Sequence, residues 1–180
     1  MKKAILILVA SLLPPLGEAE VIDSAANGFT TVNEVIVDAS AAEAWAAAIR
    51  VGQWWSSDHT ISGDASRMRI EPAMQGCFCE HLGDGAGVVH LVVTSVMPAT
   101  SLRMTGGLGP LGLMGVEGNM TWDFETFGSG TQIRFTYAVG GYLQGGLEQI
   151  AGPVDSVLNE ALLRLKAYVE TGDPEPATLE

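Results

Sequence analysis

TVNEVIVDASAAEAWAAAIRVGQWW, residues 31–55, is the stretch on which the fold of this chain turns. Phe29 to Val37 alternates loosely between apolar and polar residues, the period of a half-buried strand. Ser40 follows as a good N-cap, and Glu43 three residues on completes a capping box. Alanine, the best helix former, fills much of the next segment, so a helix is predicted from about Ala41 to Arg50. Trp45 with Ala41, Ala48 and Ile49 makes its apolar stripe. Gly52 and the pair Trp54-Trp55 end it. A strand, a short helix and a bulky aromatic turn open a chain that otherwise reads as strands. The pattern predicts a curved sheet wrapped around something, and it raises the question of whether the inside is packed or hollow.

Upstream, Lys2 and Lys3, the apolar run Ala4 to Leu13, Pro14-Pro15 and the small residues around Gly17-Glu18-Ala19 have the form of a secretory leader over residues 1–19. The apolar run is about half of the roughly 20 residues that a membrane span needs. The expectation is an exported protein, periplasmic or extracellular, with no stable membrane insertion after cleavage. Residues 20–28 read as a short lead. The remainder is long enough for one domain with a substantial core. The net charge of −12 repels phosphate backbones, which argues against nucleic acid as a partner.

Downstream, residues 56–66 are polar and glycine-marked, hence loop. Strands are predicted at Met68–Glu71, Gly76–Leu82, Val88–Met97 and Ser101–Gly106, with Asp84-Gly85 as a hairpin turn. In that register Cys79 faces His90. Cys77 and Cys79 are the only cysteines. In a regular strand their Cα atoms lie about 6.6 Å apart, near the upper edge of disulfide geometry. Two buried thiols are expected, and a bridge would need a bulge. The glycine-rich run GGLGPLGLMGVEG, residues 106–118, lacks the GxGxxG spacing and lysine of a phosphate loop. It fits either an apolar lid or a connection packing Leu108, Leu111, Leu113 and Met114 against a sheet.

Asn119–Phe127 and Thr131–Gly140 form the clearest hairpin. With Gly128-Ser129 as the turn, Trp122 meets Phe135, Phe124 meets Ile133 and Asp123 meets Arg134, giving one aromatic and one charged face. The last element is a long amphipathic helix from Leu147 to about Glu170, with a break expected near Gly152-Pro153. Residues 171–180 are an acidic, turn-rich tail. An opening strand, a short helix, six further antiparallel strands and a long helix covering one face make an α+β domain.

Over residues 29–170 the chain resembles the START-like superfamily, and within it the SRPBCC group of polyketide cyclase/dehydrase-like and Hsp90-ATPase-activator-homologue-like proteins. The residues that carry the resemblance are DASAAEAWAAAIR with its central Trp45, the Trp54-Trp55 turn and GCFCEH. The GNMTWDFE…GTQIRFTYAVGG hairpin and the final VDSVLNEALLRLKAYV helix complete it. It implies a helix-grip (Bet v 1-like) fold, in which a curved seven-stranded antiparallel sheet grips the C-terminal helix around a cavity. Members bind hydrophobic molecules, a few cyclise or dehydrate polyketides, and others are interaction modules on a chaperone.

The expected function is therefore an exported binding or carrier protein for a small hydrophobic ligand, without cofactor or metal. The alternatives are a cyclase- or dehydratase-like enzyme and an interaction module with a filled core. Trp45, Trp54 and Trp55 are expected at the cavity from the opening segment. Met104, Met114, Met120, Trp122 and Phe124 are expected there from the middle strands, with Phe135 and Tyr137 from the last. Ile150, Val154 and Leu158 come from the helix. Arg103 is a candidate anchor for an anionic head group, and Arg69 shares that possibility. His59, four residues past Trp55, is the candidate general acid or base. Cys77, Cys79 and His90 could share a sheet face as metal ligands or a thiol–imidazole pair, or be buried thiols beside a satisfied imidazole.

Overall fold

A computed structural model describes residues 18–175. The expected leader, residues 1–19, falls almost wholly outside them, as does half of the expected tail, residues 171–180. The elements in chain order are β1 (Glu18–Ala25), β2 (Gly28–Val37), α1 (Ala41–Ala48), β3 (Met68–Ile70), β4 (Cys77–Gly83), β5 (Ala86–Met97), β6 (Ser101–Gly106), β7 (Val116–Phe127), β8 (Gly130–Gly141) and α2 (Glu148–Thr171). One antiparallel sheet runs in the order β1-β2-β8-β7-β6-β5-β4-β3. It has eight strands rather than seven, because residues read as a short lead pair with β2, Ala25 opposite Gly28 and Glu20 opposite Val32. The α+β arrangement itself is as expected: α2 lies across β1 and β2 and meets α1.

Local chemistry accounts for the opening segment. Ser40 accepts a hydrogen bond from the Glu43 N–H at 3.3 Å, while its own N–H donates to the Glu43 carboxylate at 2.9 Å, closing the capping box. The alternation of β2 is loose because two inward positions, Thr31 and Asn33, are polar yet fully buried. They lie beneath α2, where the Asn33 side-chain amide donates to Asp155 at 3.0 Å. The β7–β8 hairpin has the expected register throughout, with Trp122 opposite Phe135 and Asp123 opposite Arg134.

The long helix is continuous through Pro153, where a break was expected. Pro153 sits in its second turn, and its missing N–H leaves only the Gln149 carbonyl unpaired inside the helix. Gly172 ends α2 in the left-handed conformation, φ 80°, returning its N–H to the Tyr168 carbonyl at 2.9 Å.

The cysteine expectation is corrected: Cys77 and Cys79 are bridged. Their Cα atoms are 5.3 Å apart, closer than a regular strand allows. The ladder is irregular beside the bridge, since Phe78 pairs with Leu91 while Cys79 pairs with Val89, the extra residue lying on the facing strand β5. His90 is the extra residue. It therefore faces Glu80 rather than the cysteines, and both His90 and Leu91 point inward. The bridge closes a very short loop, so chain entropy assigns it on the order of 1.6 kcal/mol. Thermal unfolding with and without dithiothreitol should show a fall in Tm of roughly 3–6 °C; no shift would mean that the bridge contributes nothing to stability.

Candidate functional site

Trp54 and Trp55 are adjacent in sequence and do different things. Trp54 is fully buried, 5.9 Å from the Trp122 ring, with its indole N–H donated to the Ala48 carbonyl at the end of α1. Trp55 packs edge-on against Phe78 at 5.5 Å and donates its indole N–H to the His59 carbonyl at 3.0 Å. That bond shapes the short 3₁₀ turn Ser57–His59. Trp55 and this turn form one wall of a cleft of about 370 Å³, within the range of ligand sites.

The second wall is α2, which presents Ile150, Pro153, Val154, Val157 and Leu158. The third is the glycine-rich segment. It folds as a 3₁₀ turn over Gly109–Leu113 and contributes Leu108, Pro110, Leu111 and Met114. Leu108 and Leu111 are buried against the sheet, whereas Leu113 and Met114 are exposed, so the segment is both a packed connection and a rim. Met68 and His90 form the floor.

The lid segment is held at two points. The Tyr137 hydroxyl accepts from the Leu108 N–H at 3.1 Å and donates to the Gly106 carbonyl at 2.9 Å. Burial pushes the Tyr137 pKa up to about 12, so it stays a donor. The second point is His90. Its Nδ1 accepts from the Gly109 N–H at 3.2 Å, so that nitrogen carries no hydrogen, and Nε2 donates to Glu80 at 3.2 Å. Both side chains are essentially inaccessible to solvent. Glu80 also accepts from the backbone N–H groups of Ile61 and Ser62. One buried acid–imidazole pair thus ties the loop on one side of the cleft to the lid on the other. Burial alone would raise the Glu80 pKa, but hydrogen bonds from Ser62, Ile61 and His90 outweigh it and hold the carboxyl below its ordinary value.

At the mouth, His59 Nε2 lies 3.0 Å from the Glu160 carboxylate on α2. Burial tends to raise the Glu160 pKa, and hydrogen bonding to His59 and Ser56 lowers it further than burial raises it. Asp58 and Thr60 complete the polar rim.

Of the residues expected at the cavity, the structure places Trp55, Met114, Ile150, Val154 and Leu158 on its lining and His59 at its mouth. Trp54, Met104, Met120, Trp122 and Phe135 are instead fully enclosed in solid core. Trp45 and Phe124 pack edge-to-face at 5.5 Å, also in that core. Tyr137 acts from behind the lid. Arg103 is exposed on the outer face, between the inward Leu102 and Met104 and away from the cavity, near enough to Asp123 to draw down a carboxyl pKa that burial raises. Arg69 is exposed in the same way between Met68 and Ile70.

Sequence reasoning missed Met68, His90 and Val157 among others. Helical spacing from Val154 pointed to Val157 and strand parity to Met68, but only the bulge brings His90 inside. Among the described residues no group of three or more His, Cys, Asp or Glu is placed to hold a metal ion. No described helix is long and apolar enough to cross a membrane.

No protein-family model and no curated protein sequence matches the chain. Solved structures do. A conserved protein of unknown function from Enterococcus faecalis is similar at a TM-score of 0.60 and 16% identity, over 91% of this chain and 82% of that one. CalU16 from Micromonospora echinospora is similar at 0.55 and 16%, over 88% of each chain. The Aha1 dimer from Colwellia psychrerythraea is similar at 0.55 and 18%, over 79% of this chain and 97% of that one. At these identities the likeness is one of architecture, and on it the chain has the helix-grip fold, a curved antiparallel sheet with a long C-terminal helix.

Proposed function

We propose that this chain is an exported binding or carrier protein that holds a small hydrophobic molecule in the cleft between α2, the Trp55 wall and the Leu108–Met114 lid. The observation that carries the reading is the cleft itself: about 370 Å³, walled almost entirely by apolar side chains, Trp55 among them. Export rests on the leader-like residues 1–19. A ligand that buries about 200 Å² of apolar surface gains roughly 5 kcal/mol from that burial. Affinity is then set by how little ordering the preformed walls still need.

The test uses N-phenyl-1-naphthylamine, a neutral fluorescent probe. It should bind with enhanced emission and quench the tryptophans, with Trp55 as the principal reporter. Val154→Trp, which fills the cleft from the α2 wall, should weaken binding at least tenfold while the far-UV spectrum is unchanged. Equal binding by wild type and Val154→Trp would remove the cleft from consideration. Native mass spectrometry of freshly purified protein, followed by organic extraction, would name a co-purified molecule.

A second reading has one observation in its favour. The His59–Glu160 pair at 3.0 Å gives the mouth an imidazole oriented by a carboxylate, the arrangement a general base needs. In that reading the chain is a cyclase- or dehydratase-like enzyme, and His59→Gln would abolish turnover while probe binding stays intact.

A further inference from the structure

The polar groups of the cleft are unevenly placed, and this has consequences for what the cleft can hold. On the floor, His90 has no hydrogen-bonding capacity to spare, because Gly109 occupies Nδ1 and Glu80 occupies Nε2. The inner half is therefore apolar in effect, since the other side chains there are those of Met68, Leu108, Leu111 and Leu158. Capacity remains only at the mouth. The Asp58 carboxylate has no hydrogen-bond partner among the described residues. His59 uses Nε2 on Glu160 and keeps Nδ1, and Thr60 donates its hydroxyl to the Ser57 carbonyl and can still accept.

The net charge at that mouth is never positive: Arg164, close enough to lower the Glu160 pKa, is bound to Glu175 and to the Trp54 carbonyl. No lysine or arginine lines the cleft, and Arg103 lies on the outer face. Wherever the proton sits on the His59–Glu160 pair, the pair carries zero or one negative charge, and Asp58 adds another. A carboxylate brought there would meet net negative charge with no unpaired cation to receive it, in a protein whose net charge is already −12.

From this, and resting on the reading of the cleft as a ligand site, we infer that it selects amphiphiles with a cationic or neutral hydrogen-bond-donating head, apolar end inward and head at Asp58 and His59, and that it rejects fatty acids and other carboxylates. A protonated amine is the best match, because it donates to Asp58 and is attracted by the mouth. An alcohol can donate without the charge term.

The experiment compares decylamine, decanol and decanoate, which share a chain and differ in head, by displacement of N-phenyl-1-naphthylamine at 150 mM salt and below their micellar concentrations. The expected order is amine, then alcohol, with decanoate at least tenfold weaker than the amine. Asp58→Asn, which keeps an acceptor oxygen and removes the charge, should narrow the gap between amine and carboxylate at least threefold and change decanol far less than decylamine. Val154→Trp should weaken all three.

Decanoate binding as tightly as decylamine would overturn the inference while leaving the cleft a ligand site. So would an amine preference that survives both Asp58→Asn and Val154→Trp, since it would then come from the general acidic surface. Failure of the probe and of all three compounds to bind would overturn the proposed function, and this inference with it.

Discussion

Trp122→Ala should destabilise the chain by about 3–5 kcal/mol, among the largest single-residue effects expected in this fold. Trp122 is fully buried at the centre of the sheet. It stacks on Phe135 across the β7–β8 ladder with ring centroids 4.4 Å apart and planes 12° from parallel. It also touches Trp54 at 5.9 Å and Phe78 at 6.3 Å. Truncation would leave a void that four elements, each fixed by its own hydrogen bonds, cannot close. Trp122→Phe separates shape from burial. It keeps an aromatic ring on Phe135 and removes an indole N–H that has no hydrogen-bond partner. Its expected cost is about 1–2 kcal/mol. Urea unfolding followed by circular dichroism checks both. Equal losses for Ala and Phe would mean that the stack contributes nothing.

Glu80→Ala is expected to cost about 3–5 kcal/mol, the range for removing one partner of a buried, hydrogen-bonded ion or acid–imidazole pair. It would strand the buried His90 Nε2 and the part-buried N–H groups of Ile61 and Ser62 without their acceptor. Because that network joins both sides of the cleft, the variant should also bind N-phenyl-1-naphthylamine more weakly. Glu80→Gln keeps an acceptor oxygen and should cost less.

The acid dependence has a definite sign. The folded-state pKa of Glu80 lies below its ordinary 4.5. Its contribution is therefore complete above about pH 4.5 and is lost as pH falls from there through the folded value. Stability measured from pH 7 to pH 3 should fall less steeply below pH 4.5 in Glu80→Gln than in wild type. Glu43, Asp64 and Glu160 are also lowered and remain in both proteins, so the difference isolates Glu80. Parallel curves would show that the pair is not linked to folding.

How far the sequence went can be seen in the two hairpins. Gly128-Ser129 set the β7–β8 register because alternation was regular on both strands and nothing interrupted it. Asp84-Gly85 was the right turn for β4–β5, yet the pairs beyond it shifted. Leu82 and His90 are each an extra residue, one on either strand, and a bulge leaves no periodic trace. The inward turn of His90 and its pairing with Glu80 follow from that local break. Arg103 was legible and misread: Leu102 and Met104 point inward, so strand alternation alone sends Arg103 outward.

By itself the sequence determined the α+β class, the capped helix after β2, the aromatic hairpin and the long final helix. Each is written in local propensity or in a period of two or 3.6, which nearest neighbours enforce. The tertiary structure alone decided depth. Period tells which side of a strand faces inward but not how far a side chain lies from the lid. Trp54 and Trp122 could thus not be told from Trp55 until α2 and the Gly109–Leu113 turn were in place. It also decided the chemistry of the mouth. Asp58, His59 and Glu160 come from segments about 100 residues apart, and only the packing of α2 over the sheet brings an imidazole and its carboxylate to 3.0 Å.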